Sequence, residues 1–233
     1  MSGTGAFQYW QRTMIHAGPG TVVRLPGLFD ALGARRILLV SDKGLKGVGI
    51  VDTIAGLFEE GRMPGGPKLV GIFTDTAPDA ESGCIDDALK MARETAADAL
   101  LAVGGGSVLD SVKMLKMALH QKVGSVSELL KSPVKIMNWP EVEYMGVPHI
   151  AVPTTAGTGA ELTFGAVVYN KTLGIKHLIL SHYLEADIAV LDAHMTTGLP
   201  PMLTAATGLD ALTHAVESIA HPRINHFGLA HAT

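Results

Sequence analysis

Apolar residues fall in short continuous runs, separated by stretches in which they recur every three to four positions. The runs at 36–40, 68–73, 99–103, 149–152 and 188–191 have the length and continuity of buried strands. Between them, Val51, Ile54, Leu57 and Phe58 predict one helix, and Ile85, Leu89, Ala92 and Ala96 predict a second. Val108, Val112, Leu115 and Leu119 share one face of a third. This alternation of strand and helix predicts a parallel sheet wrapped by helices, an α/β architecture. Residues 121–148 read as a looser insertion, with a capping box at Ser125 and Glu128 and prolines at 133, 140 and 148. Segments 164–169 and 177–180 predict a β-hairpin around 170–174. The pattern changes near residue 193. Pro200-Pro201 suits a helix start, Gly208 punctuates, 209–220 is strongly helical, and a further helix opens at 225.

With 47% apolar and 17% charged residues over 233 positions, the chain can bury a large core, and disorder is disfavoured. A net charge of −4 argues against nonspecific nucleic-acid binding, which needs a basic face. The single cysteine, Cys84, excludes an internal disulfide framework, and its helical setting reads as a small core position. Residues 1–20 lack the basic start and apolar stretch of a signal peptide, and no apolar window reaches membrane-spanning length. These features predict a soluble, cytoplasmic protein. Because 225–233 opens a helix without a cap or breaker, the chain reads as the amino-terminal part of a longer one.

Candidate chemistry gathers at strand ends. The run at 99–103 breaks into Gly104-Gly105-Gly106-Ser107, and a helix carrying Asp110 and Lys113 follows at once. Glycines there let the backbone approach a bulky anion, and a helix N-terminus offers unpaired N–H groups to phosphate. A purely geometric strand-to-helix turn has the same local pattern. Asp42 ends another strand, where a carboxylate either accepts from the adenosine ribose hydroxyls of a dinucleotide or caps a turn. Residues 154–159 bring Thr154, Thr155 and Thr158 with two glycines past a third strand, either completing a diphosphate cradle or forming a polar loop. Thr163 and Lys176 flank the hairpin within reach of the same ligand. Asp210 and His214, at i and i+4 on a helix with Glu217 beyond, form either an ion pair or part of an Fe²⁺ or Zn²⁺ site. His221, His226 and His231, spaced by five, do not share a helical face and read as surface or interface positions.

Together these residues resemble the iron-containing (group III) alcohol dehydrogenase family. The Gly104-Gly105-Gly106-Ser107 turn with Asp110 and Lys113 is similar to its GGGSxxDxxK signature. Residues 153–163, PTTAGTGAELT, resemble its second loop, and 199–217, LPPMLTAATGLDALTHAVE, its metal-binding helix pair. The resemblance implies an NAD-binding α/β domain over 1–192 and, over 193–233, the beginning of an all-helical domain. It further implies hydride transfer between an alcohol or aldehyde and nicotinamide, with the metal polarising the alcohol oxygen. Carried over, Asp42 selects NAD; Gly105, Gly106 and Ser107 hold the diphosphate; Thr154, Thr155, Thr158, Thr163 and Lys176 line the rest; Asp210 and His214 are two metal ligands. A homodimer follows the family habit, and no nucleic-acid or membrane partner is implied. Two features depart from the family. Ala77-Pro78 stands where Asn-Pro is usual, and nothing after His214 matches the family's two later histidine ligands. The alternatives are a non-catalytic nucleotide-binding remnant and a glycerol dehydrogenase or maleylacetate reductase-like relative.

Overall fold

The computed structural model describes residues 7, 9–59, 63–222 and 224–233. In chain order the strands are β1 (Met14–Ala17), β2 (Arg36–Val40), β3 (Lys68–Phe73), β4 (Ala99–Gly104), β5 (Val134–Met137), β6 (His149–Pro153), β7 (Gly165–Asn170), β8 (Ile175–Ser181) and β9 (Ile188–Leu191). The helices are α1 (Leu25–Ala31), α2 (Lys43–Gly47), α3 (Ile50–Ala55), α4 (Ser82–Glu94), α5 (Gly106–Gln121), α6 (Pro201–Ala220) and α7 (His226–Ala232).

Six strands form one parallel sheet in the order β1-β9-β6-β4-β2-β3, as the α/β pattern predicts. β4 and β6, the central strands, are buried along their whole length, which is why they read as unbroken apolar runs rather than alternating ones. One face of the sheet packs on α4 and α5 through Leu38, Leu100, Ala102, Leu89, Val112 and Leu115. The other packs around Leu25, Phe29, Val51 and Ile54 through Ile37, Leu39, Leu101 and Val103. A second, three-stranded sheet, β5-β8-β7, contains the predicted hairpin as an antiparallel β7–β8 pair.

Several local expectations are corrected. The helix read through Leu57 and Phe58 ends early: α3 closes at Ala55, and residues 56–58 tighten into a 3₁₀ turn. Ala96 does not extend the buried face of α4, because it lies beyond the helix at φ 47° and reverses the chain toward β4. Gly208 does not punctuate; α6 runs through it, since a glycine weakens a helix without removing a hydrogen bond. The insertion contains β5, four residues paired in parallel with β8, and its capping box at Ser125 and Glu128 is present. Cys84 is half-buried rather than core, and burial pushes its thiol upward.

β1 was not visible in the sequence pattern because it is a short edge strand with Met14 and Ile15 exposed. Polar anchors hold it. Arg12 pairs with Asp187, Thr13 Oγ1 donates to the Ala186 carbonyl at 2.8 Å, and Trp10 Nε1 donates to Glu185 Oε1 at 2.9 Å. The fully buried Lys116 reaches the same cluster, donating to the Glu185 carbonyl at 3.1 Å and lying 3.6 Å from Asp187. The His149 backbone N–H completes it, donating to Asp187 Oδ2 at 2.8 Å.

Candidate functional site

Parallel strands present their C-terminal ends at one edge, and the loops carrying Asp42, Gly104–Ser107 and residues 154–159 leave the sheet there. β4 passes into Gly104-Gly105-Gly106, and α5, 16 residues long, starts at Gly106 with no described side chain capping it. The turn is tightly enclosed. A Cβ on Gly104 would stand 2.5 Å from Val108 Cγ2. On Gly105 it would meet Thr155 Cγ2 at 3.2 Å, and on Gly106 Thr158 Cγ2 at 3.0 Å. The 154–159 loop therefore lies directly on the glycine turn, fastened by the Thr154 N–H donating to the Gly104 carbonyl at 3.1 Å. Its far side touches α6, where a Cβ on Gly157 would be 2.8 Å from the Thr207 carbonyl oxygen. Bare backbone, two threonine hydroxyls and an uncapped helix N-terminus thus converge on one spot. These groups fit a diphosphate: the helix-start N–H groups carry partial positive charge, and the glycines let the Thr155 and Thr158 hydroxyls stand close beside them.

Ser107 and Lys176 meet at a residue the sequence reading passed over. Ser107 Oγ accepts from the Asp79 N–H at 3.0 Å, and Lys176 Nζ donates to Asp79 Oδ1 at 2.8 Å. Asp79 follows Ala77-Pro78 in left-handed backbone at φ 61°, a conformation aspartate tolerates better than most residues. Its neighbouring proline was the available signal. The Lys176–Asp79 pair is half-exposed and weak, so the ammonium can turn toward a ligand.

Thr163 faces α5. Its Oγ1 accepts from Lys113 Nζ at 2.9 Å. Lys113, fully buried, also donates to the Gly165 carbonyl and to Asp110 Oδ1 at 3.1 Å, while Asp110 Oδ2 accepts from the Val167 N–H at 2.9 Å. The signature aspartate and lysine therefore fasten the β7–β8 hairpin to α5. Burial lowers the Lys113 pKa, and Asp110 opposes that shift. Glu161, in the same loop region, has its carboxyl raised by burial.

At the end of β2, Asp42 Oδ1 accepts from the Leu45 N–H at 2.9 Å and caps α2. Beside it, Lys43 Nζ lies 2.5 Å from Asp75 Oδ1 at the end of β3.

Asp210 and His214 sit one turn apart on α6, half-exposed, with Oδ2 and Nδ1 3.9 Å apart. Carboxylate and imidazole are suitable donors for Fe²⁺ or Zn²⁺, but two donors do not close a shell of four. Among the described residues no group of three histidine, cysteine or acidic side chains could hold an ion. A cavity of about 350 Å³ between α6 and α7 is lined by His214, Glu217, Ser218 and His221. His221, His226 and His231 are exposed. A larger cavity of about 640 Å³ lies at the opposite edge of the sheet, against Arg36 and Lys68 at the starts of β2 and β3, and contains none of these groups.

The sequence profile of iron-containing alcohol dehydrogenases matches residues 12–193. The chain belongs to that family. It is 37% identical over 205 residues to long-chain-alcohol dehydrogenase 1 of Geobacillus thermodenitrificans, covering 87% of this chain and 48% of that protein. The crystal structure of a 1,3-propanediol oxidoreductase superposes with a TM-score of 0.85 at 30% identity, over 98% of this chain and 56% of the other. Sulfoacetaldehyde reductase from Bifidobacterium kashiwanohense, solved in complex with NAD⁺, superposes with a TM-score of 0.80 at 27% identity, over 92% and 53%. The chain spans about half the length of the curated family relatives it matches. Among the described residues, no helix is long and apolar enough to cross a membrane.

Proposed function

We propose that this chain is the NAD-binding portion of a dehydrogenase that moves hydride between a small alcohol and its aldehyde. The observation that carries the reading is the packing of Thr155 and Thr158 onto Gly105 and Gly106 at the uncapped start of α5. A family relative solved with NAD⁺ supports it. In this reading, residues 1–192 form the cofactor domain and 193–233 begin a helical one. The backbone N–H groups of Gly105, Gly106 and Ser107 hold the diphosphate. Thr154, Thr155, Thr158, Thr163 and Lys176 line the remainder, and Asp42 takes the adenosine ribose with the carboxylate that also caps α2. Bound nicotinamide supplies the hydride acceptor or donor. Asp210 and His214 contribute two donors toward Fe²⁺ or Zn²⁺, and the half-shell they make favours a second reading for the 233-residue chain: cofactor binding without turnover.

Titration of the chain with NADH, followed by nicotinamide fluorescence, tests the proposal. Saturable binding is expected, weakened about tenfold or more (about 1.4 kcal/mol) by Gly106→Val, whose side chain would push Thr158 out of the turn. Absence of NADH binding by the unsubstituted chain overturns it. Turnover of an alcohol by the 233-residue chain alone, with Fe²⁺ added, would overturn the second reading.

A further inference from the structure

Two carboxylates and one ammonium stand together at the ends of β2 and β3. Asp42 and Asp75 face each other through an isolated backbone bridge, and Lys43, next to Asp42, is paired with Asp75 at 2.5 Å. Adjacent parallel strands lie about 4.8 Å apart, so these groups are one and two strands from the glycine turn, within a nucleoside's reach of its diphosphate site. Both Lys43 and Asp75 are largely exposed, with side-chain accessibilities of 79% and 57%. The pair is therefore a switchable contact rather than a structural one. The three side chains sum to one negative charge. A 2′-phosphate on the adenosine ribose would bring about two more.

We propose that Asp75 is a cofactor-specificity residue that acts through Lys43. By holding the Lys43 ammonium and adding its own charge, Asp75 denies that cation to a 2′-phosphate and keeps the chain selective for NAD over NADP. This rests on the cofactor reading above, but concerns a residue outside the strand-end aspartate that the family resemblance assigns. Asp42 alone would leave Lys43 free to neutralise a 2′-phosphate. With Asp75 in place, the lysine is already neutralised. The geometry also explains why a lysine beside the ribose site does not by itself predict NADP use.

The test is a titration of NADH and NADPH into the 233-residue chain and into Asp75→Asn, Lys43→Met and the double variant, at low and high salt. The ratio of the NADPH to the NADH dissociation constant should fall about fivefold in Asp75→Asn, the scale of an exposed charge pair. That fall should be reversed in the double variant and should shrink at high salt, where exposed charges are screened. An unchanged ratio in Asp75→Asn, with both dinucleotides binding, overturns the inference and leaves the cofactor reading intact. A fall that survives Lys43→Met overturns the part assigned to the lysine. Failure of the unsubstituted chain to bind either dinucleotide overturns both readings.

Discussion

Gly104 and Gly208 are the same residue type in opposite situations. At Gly104 an added methyl would lie 2.5 Å from Val108 Cγ2 and 2.6 Å from its Cβ. Val108 is β-branched and in the first turn of α5, so it has almost no alternative rotamer with which to yield. Gly104→Ala should therefore cost about 1–3 kcal/mol, the range for overpacking a rigid site, seen as a lower urea midpoint at unchanged slope. At Gly208, mid-helix in α6, an added Cβ would meet no described atom within 4 Å apart from the adjoining helix backbone. Gly208→Ala should raise stability by up to about 1 kcal/mol in the same measurement, the propensity difference between the two residues. Gly104 ends β4 within one residue of the expected strand end, because an apolar run and a helix flank it. Gly208 lies inside a helix and not at a break, because the amino-acid string records that a side chain is missing and not whether space or backbone shape is the reason. The same limit applies to Asp79, whose left-handed backbone and two side-chain partners leave no mark in the sequence beyond the proline before it.

Strands were legible where apolar residues follow one another without a long polar break, whether buried or at an edge. β2, β3 and β9 begin and end at the predicted 36–40, 68–73 and 188–191, because each is a short, largely apolar run whose ends are marked by charged or polar residues. β1 and β5 escaped notice: each is four residues long, at a sheet edge, and largely solvent-facing, so neither needs a continuous apolar run. The joint between α5 and the hairpin was half legible. The i,i+3 spacing of Asp110 and Lys113 predicts that they can meet, but their shared task, holding Thr163, Gly165 and Val167, depends on contacts fifty or more residues apart. Lys113→Met should cost about 3 kcal/mol, since it leaves Asp110 and the Gly165 carbonyl without their buried partner. Adding Asp110→Asn should recover part of that loss, the pattern expected of two groups that act as a pair. Amide hydrogen exchange would locate the effect: protection should fall in β7 and β8 while β2 and β4 stay protected.

At the scale of the molecule, two charge clusters of different burial lie toward opposite ends of the sheet. The candidate cofactor edge carries exposed or half-exposed pairs such as Lys43–Asp75 and Lys176–Asp79, which a ligand can redirect. The opposite end carries Arg12, Lys116, Glu185 and Asp187, buried or half-buried and arranged around the N-terminal ends of β6 and β9. His149 lies in that second group, 1% exposed, with neither ring nitrogen hydrogen-bonded among the described residues. Burial holds its pKa well below the ordinary 6.5, and the positive charges of Lys116, Lys113 and Arg12 push it the same way. The consequence for stability has a definite sign. Below pH 6.5 the unfolded chain protonates this imidazole while the folded chain does not, so the unfolded state binds more protons and stability falls as pH falls. One such group gives a limiting slope of about 1.4 kcal/mol per pH unit. Carboxylates add their own losses only below about pH 5, which leaves a window between about 6.5 and 5 in which the histidine's share can be read. Unfolding free energy measured across that window should decline in the unsubstituted chain and decline less steeply, by about that slope, in His149→Asn. Comparing slopes rather than absolute stabilities removes the cost of the substitution itself and the contribution of the exposed histidines, which is common to both chains. Equal slopes would mean that the folded chain protonates His149 as readily as the unfolded one, and that this end of the sheet is open to water rather than sealed by the strand that Arg12 pins.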